Sequence, residues 1–342
     1  MVFNFKIFLS NIGSYILLII ILLNTTILIL FIKVGYHLLT NKIKKLIEKK
    51  FSVLSTNDNI KNPPKRKGKK KRKSKRLSTQ NDILITINNI TEKDNSKEKE
   101  EKKENEENDS KIKYVDLNDY ELNSLSYKEA VKYDHRTYWE YYFSLIRTKQ
   151  LIVFTFYTYS DYNSKLIKIF LFFIAFALFY VVNALFFNDS TMHQIYEDQG
   201  VFNFIYHIPQ ILYSTIISVV IKTILSLLSL SEKNIIEIKN QKNIEKANIV
   251  MKEKQKCLLI KFYIFFIISF LFLIIFWYYI SCFCAVYKNT QIYLIKDTFI
   301  SFATSLFYPF IINLLPGLLR IHSINNKDKS CIFRISKIIQ LI

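Results

Sequence analysis

Asp134-His135-Arg136 sets an acid, an imidazole and a guanidinium side by side. A histidine held by a carboxylate is the usual general base. Adjacent side chains diverge along the backbone, however, so three consecutive residues do not generally converge on one site. The expectation for His135 is therefore structural. A second cluster lies in the stretch Asn188 to Gly200, where Asp189, Glu197 and Asp198 accompany His193 with no Lys or Arg. Carboxylate oxygens and an imidazole suit a divalent cation, but this spacing matches no calcium loop, and a plain solvated loop is expected. Asn188-Asp189-Ser190 is a glycosylation sequon that abuts an apolar stretch.

Cys282 and Cys284 have no neighbouring His or further Cys and read as packing residues rather than zinc ligands. Cys257 and Cys331 are placed where palmitoylation could occur, but unmodified thiols are expected. The chain contains no G-x-x-x-x-G-K-[ST], H-E-x-x-H, G-x-S-x-G or paired C-x-x-C. On these grounds it is expected not to be an enzyme, with no cofactor and no metal site.

The densest chemistry is basic. Lys65, Arg66, Lys67, Lys69, Lys70, Lys71, Arg72, Lys73, Lys75 and Arg76 follow Pro63-Pro64 almost without interruption. Near an anionic leaflet each such residue contributes ~1 kcal/mol of attraction, so the block is the candidate lipid-binding site. Ser74 and Ser78 are candidate phosphorylation sites, Ser78 in a basophilic-kinase-like Arg76-Leu77-Ser78 context. A phosphate on either adds roughly −1.5 to −2 charge and would release the tether. An acidic tract follows, with Glu98, Glu100, Glu101, Glu104, Glu106, Glu107 and Asp109. Such charge-dense sequence buries too little apolar surface to offset chain entropy and is expected to be disordered.

The elements that position these groups are apolar. The chain has 342 residues, is 50% hydrophobic, and carries a net charge of +20. Five apolar stretches run from Ile12 to Ile32, Ile169 to Phe187, Phe202 to Ile221, Phe262 to Val286 and Thr298 to Leu319. Each is long enough for an α-helix to cross ~30 Å of hydrocarbon. Lys and Arg crowd the first and third connections and the tail. The N-terminus and the other two connections hold only Lys6, Lys288 and Lys296. By the positive-inside rule the N-terminus is outside and the C-terminus cytosolic.

The fold class expected is an all-α multi-pass integral membrane protein, with about five transmembrane helices and a long, partly disordered cytosolic insert. Residues 1–50 hold the first span and a basic juxtamembrane helix, in which Leu38, Leu39, Ile43, Leu46 and Ile47 share a face among lysines. Residues 51–113 form the polybasic and acidic linker, and 114–165 an aromatic-rich cytosolic segment. Residues 166–221 carry spans two and three, and 222–261 a cytosolic helical connection breaking near Asn240. Residues 262–319 carry spans four and five, and 320–342 a basic tail.

Inside the spans, Asn24, Asn183 and Asn313 are expected to make interhelical amide hydrogen bonds. No Asp, Glu, Lys or Arg is expected deep in a span, and Asp297 is placed at an outer boundary. A non-enzymatic membrane anchor or scaffold is expected, its basic cytosolic segments binding anionic lipid headgroups or a protein partner, with no nucleic-acid role. The alternative is a subunit of a small channel or transporter, in which Asn183, His207 or Asn313 would face water.

Overall fold

The computed structural model describes residues 11–61, 117–158, 161–187, 189–197, 204–241, 243–326 and 330–341. Helix is the only regular structure among them. In chain order the helices are α1 (Ile12–Leu30), α2 (Tyr36–Lys61), α3 (Asp119–Ser124), α4 (Tyr127–Tyr133), α5 (Tyr138–Lys149), α6 (Lys165–Phe186) and α7 (Asp189–Glu197). They continue as α8 (Phe204–Ser229), α9 (Glu232–Lys239), α10 (Ile244–Val286), α11 (Gln291–Ile312), α12 (Leu314–Asn325) and α13 (Ser330–Leu341). By length and composition, five helical segments can cross a membrane.

Their bundle forms around α6, whose apolar window is 67% buried against 18–33% for the others. Ala175, Ala177 and Ala184 on α6 are fully buried, and such small side chains let neighbouring backbones approach. Phe170 fills the gap left at one end, with its ring 5.1–5.8 Å from those of Phe265, Phe266 and Phe270 on α10.

α1 runs antiparallel to α10 along the same side. Ser14 Oγ lies 2.8 Å from Ser281 Oγ and accepts from Trp277 Nε1 at 2.9 Å. At the far end Phe31 meets Phe262 and Phe266, both at 5.3 Å. Gly13 is required for this fit, because a Cβ there would stand 2.5 Å from both Cys284 Sγ and Tyr180 Oη.

α10 is one continuous helix of 43 residues. The connection after α8 therefore folds as α9, a turn at Asn240, and an extension of the fourth span itself. At the opposite end of the chain, the expected fifth stretch is two helices. Pro316 has no N–H to donate to the Ile312 carbonyl, and its ring crowds that oxygen. The α-helix accordingly breaks at Asn313, between α11 and α12.

The short helices other than α7 collect at one end of the bundle. Leu39, Ile43 and Ile47 of α2 are buried in one cluster with Ile235 and Ile238 of α9. The basic helix α2 thus rests on protein along this face. α3, α4 and α5 each start with a capping box, Asn118 with Glu121, Ser126 with Glu129 and Thr137 with Glu140. Each box satisfies two N-terminal donors reciprocally, which lets helices this short form on the edge of the bundle. The expected basic tail is also structured, with α13 folded onto α12 and Ser336 Oγ donating to the Pro316 carbonyl at 2.8 Å. The stretch expected to be a loop after the second span is helical over Asp189–Glu197.

Candidate functional site

The turn between α4 and α5 delivers Asp134 and Arg136 to the same point. Arg136 grips the Asp134 carboxylate with two bonds, Nε to Oδ1 at 2.7 Å and Nη2 to Oδ2 at 2.9 Å. Residues two apart therefore do converge here, contrary to the expectation from their sequence proximity. The backbone between the helices is extended rather than helical, and it returns alternate side chains to one side. His135, the intervening residue, is exposed.

α12 supplies the second cation. Arg320 Nη2 donates to Asp134 Oδ2 at 2.8 Å and to the Leu122 carbonyl at 3.0 Å. Its guanidinium lies between the rings of Tyr141 and Phe333, 4.8 Å from each centroid. Asp134 and Arg320 side chains are each 1% exposed. Arg136 Nη1 continues the network to Asn123 Oδ1 at 3.1 Å and Ser144 Oγ at 3.0 Å. Burial alone would raise the Asp134 carboxyl, but the Arg136 hydrogen bond and charge, joined by those of Arg320, hold it below its ordinary value. A carboxylate so neutralised is a poor base. The arrangement ties α3, α4, α5 and α12 together instead.

A second polar node fastens the loop before α6. Lys168 Nζ donates to the Thr158 carbonyl at 2.7 Å and to both Asp161 oxygens at 3.1 Å. Asn163 passes the connection on, accepting from the Ser231 N–H at 2.9 Å. A third node joins α3 to α9, where Glu121 Oε2 accepts from Lys239 Nζ at 2.8 Å and Tyr162 Oη at 3.1 Å. Together the three nodes make one folded cap at the end of the bundle that carries Lys42, Lys165, Lys261 and Arg320.

Within the bundle three amides are buried, at Asn24, Asn183 and Asn313. Asn183 is fully buried, and its Oδ1 accepts from Ser214 Oγ of α8 at 3.1 Å and Ser301 Oγ of α11 at 3.2 Å. That is the interhelical amide expected. Asn313 is buried but donates within its own chain turn, to the Pro309 carbonyl at 2.7 Å. The same carbonyl accepts the Asn313 backbone N–H at 3.2 Å, so this amide bonds within its own helix and not across to another. Asn24 is fully buried with neither amide atom bonded. The α1–α10 register sets it level with Ser269, whose hydroxyl is likewise buried and unbonded. Asp297 is buried in the second turn of α11.

The polybasic block Lys65 to Arg76, with Ser74 and Ser78, lies outside the described residues, as do Asn188 and Asp198. His193 faces Glu197 across one turn of α7 at 3.3 Å. Among the described residues no group of three or more His, Cys, Asp or Glu could hold a metal ion. Cys284 is buried and Cys282 exposed. Neither a protein-family model, nor a curated protein, nor a solved structure matches this chain. Any functional reading must therefore rest on its own residues.

Two features of the site differ in how far the sequence marks them. Arg320 opens the basic tail, and no local pattern marks it as buried. The capping boxes were visible, since N-x-x-E, S-x-x-E and T-x-x-E recur at 118–121, 126–129 and 137–140. They mark three helix starts in a segment that reads only as aromatic and mixed.

Proposed function

We propose that this chain is a non-enzymatic membrane anchor or scaffold, with its N-terminus outside and its C-terminus cytosolic. In this reading the cap faces the cytosol and presents basic and aromatic surfaces to anionic lipid or to a protein partner. The observation that carries it is the closed polar seam at Asn183. A water-filled path needs polar groups turned toward the path, whereas Asn183 spends its oxygen on Ser214 and Ser301. Asn313 is likewise engaged.

The aromatic segment supports the same placement. Trp139 and Phe143 on α5 are 59% and 52% exposed. Tyr142 between them donates to the Phe310 carbonyl of α11 at 2.9 Å. α5 thus lies beside the inner end of the fifth span with two large aromatics outward, as an interfacial belt requires. Lys165 begins α6, and Lys42 and Lys261 bond the Asp161 and Leu230 carbonyls at this same end of the bundle.

Cysteine accessibility tests the reading. Asn183, His207 and Asn313 are substituted singly by cysteine in a cysteine-free background and probed from both sides with a water-soluble thiol reagent. Protection at all three sites is expected. Labelling at two or more would establish an aqueous path and replace the scaffold with a channel or transporter subunit. Orientation is tested separately with an engineered glycan acceptor near Asn89, which is expected to stay unmodified.

A further inference from the structure

We propose that a groove between α2 and the start of α6 binds the headgroup region of an anionic glycerophospholipid. This inference rests on the scaffold reading and gives its lipid contact a folded site, separate from the polybasic block. The groove holds about 220 Å³ and is lined on one side by Gly35, Leu38 and Lys42, on the other by Ser164, Lys165 and Leu166. It continues along α2 past Lys45, Leu46 and Lys49.

Its composition suits one class of ligand. The floor is apolar, from Leu38, Leu39, Leu46 and Leu166, and the rim is cationic, from Lys42, Lys45, Lys49 and Lys165. Asp161 is the one carboxylate among the described lining residues, and it is already bonded by Lys168. The described lining residues therefore carry net positive charge. A soluble anion would match the rim and leave the floor without a partner. A zwitterionic lipid would match the floor without compensating the rim. An anionic phospholipid meets both, with its phosphate among the lysines and its glycerol and first methylenes on the leucines.

Position along the bundle agrees. The groove opens where α1 gives way to α2 through the turn Phe31–Gly35, and where α6 begins at Lys165. Both apolar windows end at that level, which is where lipid phosphates lie. Gly35 brings the two walls together, since a Cβ there would stand 2.8 Å from the Phe31 ring and 2.9 Å from Leu166 Cδ1. Lys42 is fixed at the rim by its bond to the Asp161 carbonyl. Lys168, below it, is consumed by Thr158 and Asp161 and serves to hold the wall.

Native mass spectrometry on the delipidated full chain in detergent tests this. The probes are dioleoyl-phosphatidylserine, dioleoyl-phosphatidylcholine and glycerophosphoserine, which carries the headgroup without chains. Phosphatidylserine is expected to bind at least tenfold more tightly than phosphatidylcholine, and glycerophosphoserine not to compete. The combined Lys42→Gln, Lys45→Gln, Lys49→Gln, Lys165→Gln variant should lower that preference below threefold. Leu38→Trp, which fills the groove and leaves its charge, should reduce occupancy by phosphatidylserine, and it decides the matter if the lysine variant fails to fold. A chain with the basic residues of 65–76 replaced by Gln should keep its preference.

A preference that survives in the lysine variant and vanishes in the 65–76 variant would overturn the groove and leave the lipid-binding scaffold standing. Absence of preference in the native chain would overturn the groove and the lipid contact together. Equal competition by glycerophosphoserine would make this a site for free anions and overturn the lipid assignment. Unchanged occupancy in the Leu38→Trp variant would do so as well.

Discussion

The seam at Asn183 and the node at Asp134 both bury polar groups among helices, and they do so by opposite means. In the seam every partner is neutral, and two of the three have an alternative on their own helix. Asn183 Nδ2 donates to the Phe179 carbonyl, and the single Ser214 hydroxyl proton can turn from Asn183 Oδ1 to the Gln210 carbonyl. Losing one interhelical bond therefore strands little. At Asp134 the partners are a carboxylate and two guanidiniums, and the other acceptors of the guanidiniums are uncharged. The difference follows from desolvation. A charge at the centre of a bilayer costs far more than an amide, so charged cross-links sit in the cap, where the helices leave the apolar zone.

The strongest way to break this comparison is at Arg320. Arg320→Met should cost about 3 kcal/mol, since truncating one member of a buried ion network leaves the others uncompensated. Thermal unfolding of the detergent-solubilised chain measures it, and adding Asp134→Asn should recover part of the loss. A single variant no less stable than the parent would show the cap to be peripheral.

Asn24 offers a gain instead of a loss. Its amide is buried without a partner, and such groups cost roughly 1–3 kcal/mol in desolvation. Asn24→Leu should raise the unfolding temperature, and a fall would reveal a bond to a buried water.

The seam should respond less. Asn183→Leu is expected to cost about 0.6 kcal/mol, the ordinary value of an interhelical side-chain bond in a membrane. A loss as large as that of Arg320→Met would erase the distinction between the regions.

The smallest effect is a pH dependence at the edge of the cap. Burial, and then the nearby charge of Lys222, push the Lys149 amine down to about 8. An unfolded lysine titrates near ~10.4. Between those values the unfolded chain binds more protons than the folded one, so stability rises with pH across that window. Lys149→Met should flatten the rise between pH 8 and 10. An identical slope in parent and variant would remove Lys149 as its source.

Legibility in the sequence followed the range of the interactions. The five apolar stretches, the turn near Asn240 and the helical character of residues 33–50 were all readable, because length and periodicity are local properties. The break at Asn313 was also encoded locally, in Pro316, although the apolar run conceals it by continuing to Leu319. The cap was not readable as a unit. Arg320 and Asp134 are separated by 186 positions, and nothing near either residue records the other.

By itself, then, the sequence determined that five segments are long and apolar enough to cross a membrane, and that the basic residues gather on alternate connections. Both properties depend on transfer between water and hydrocarbon, which acts on each segment independently of its neighbours. Only the tertiary structure decided which helix stands at the centre, which amides are shared and which arginine is buried. Those outcomes depend on pairwise geometry between distant positions. One deleted Cβ at Gly13 or one cation placed against Asp134 settles them, and no local pattern carries that information.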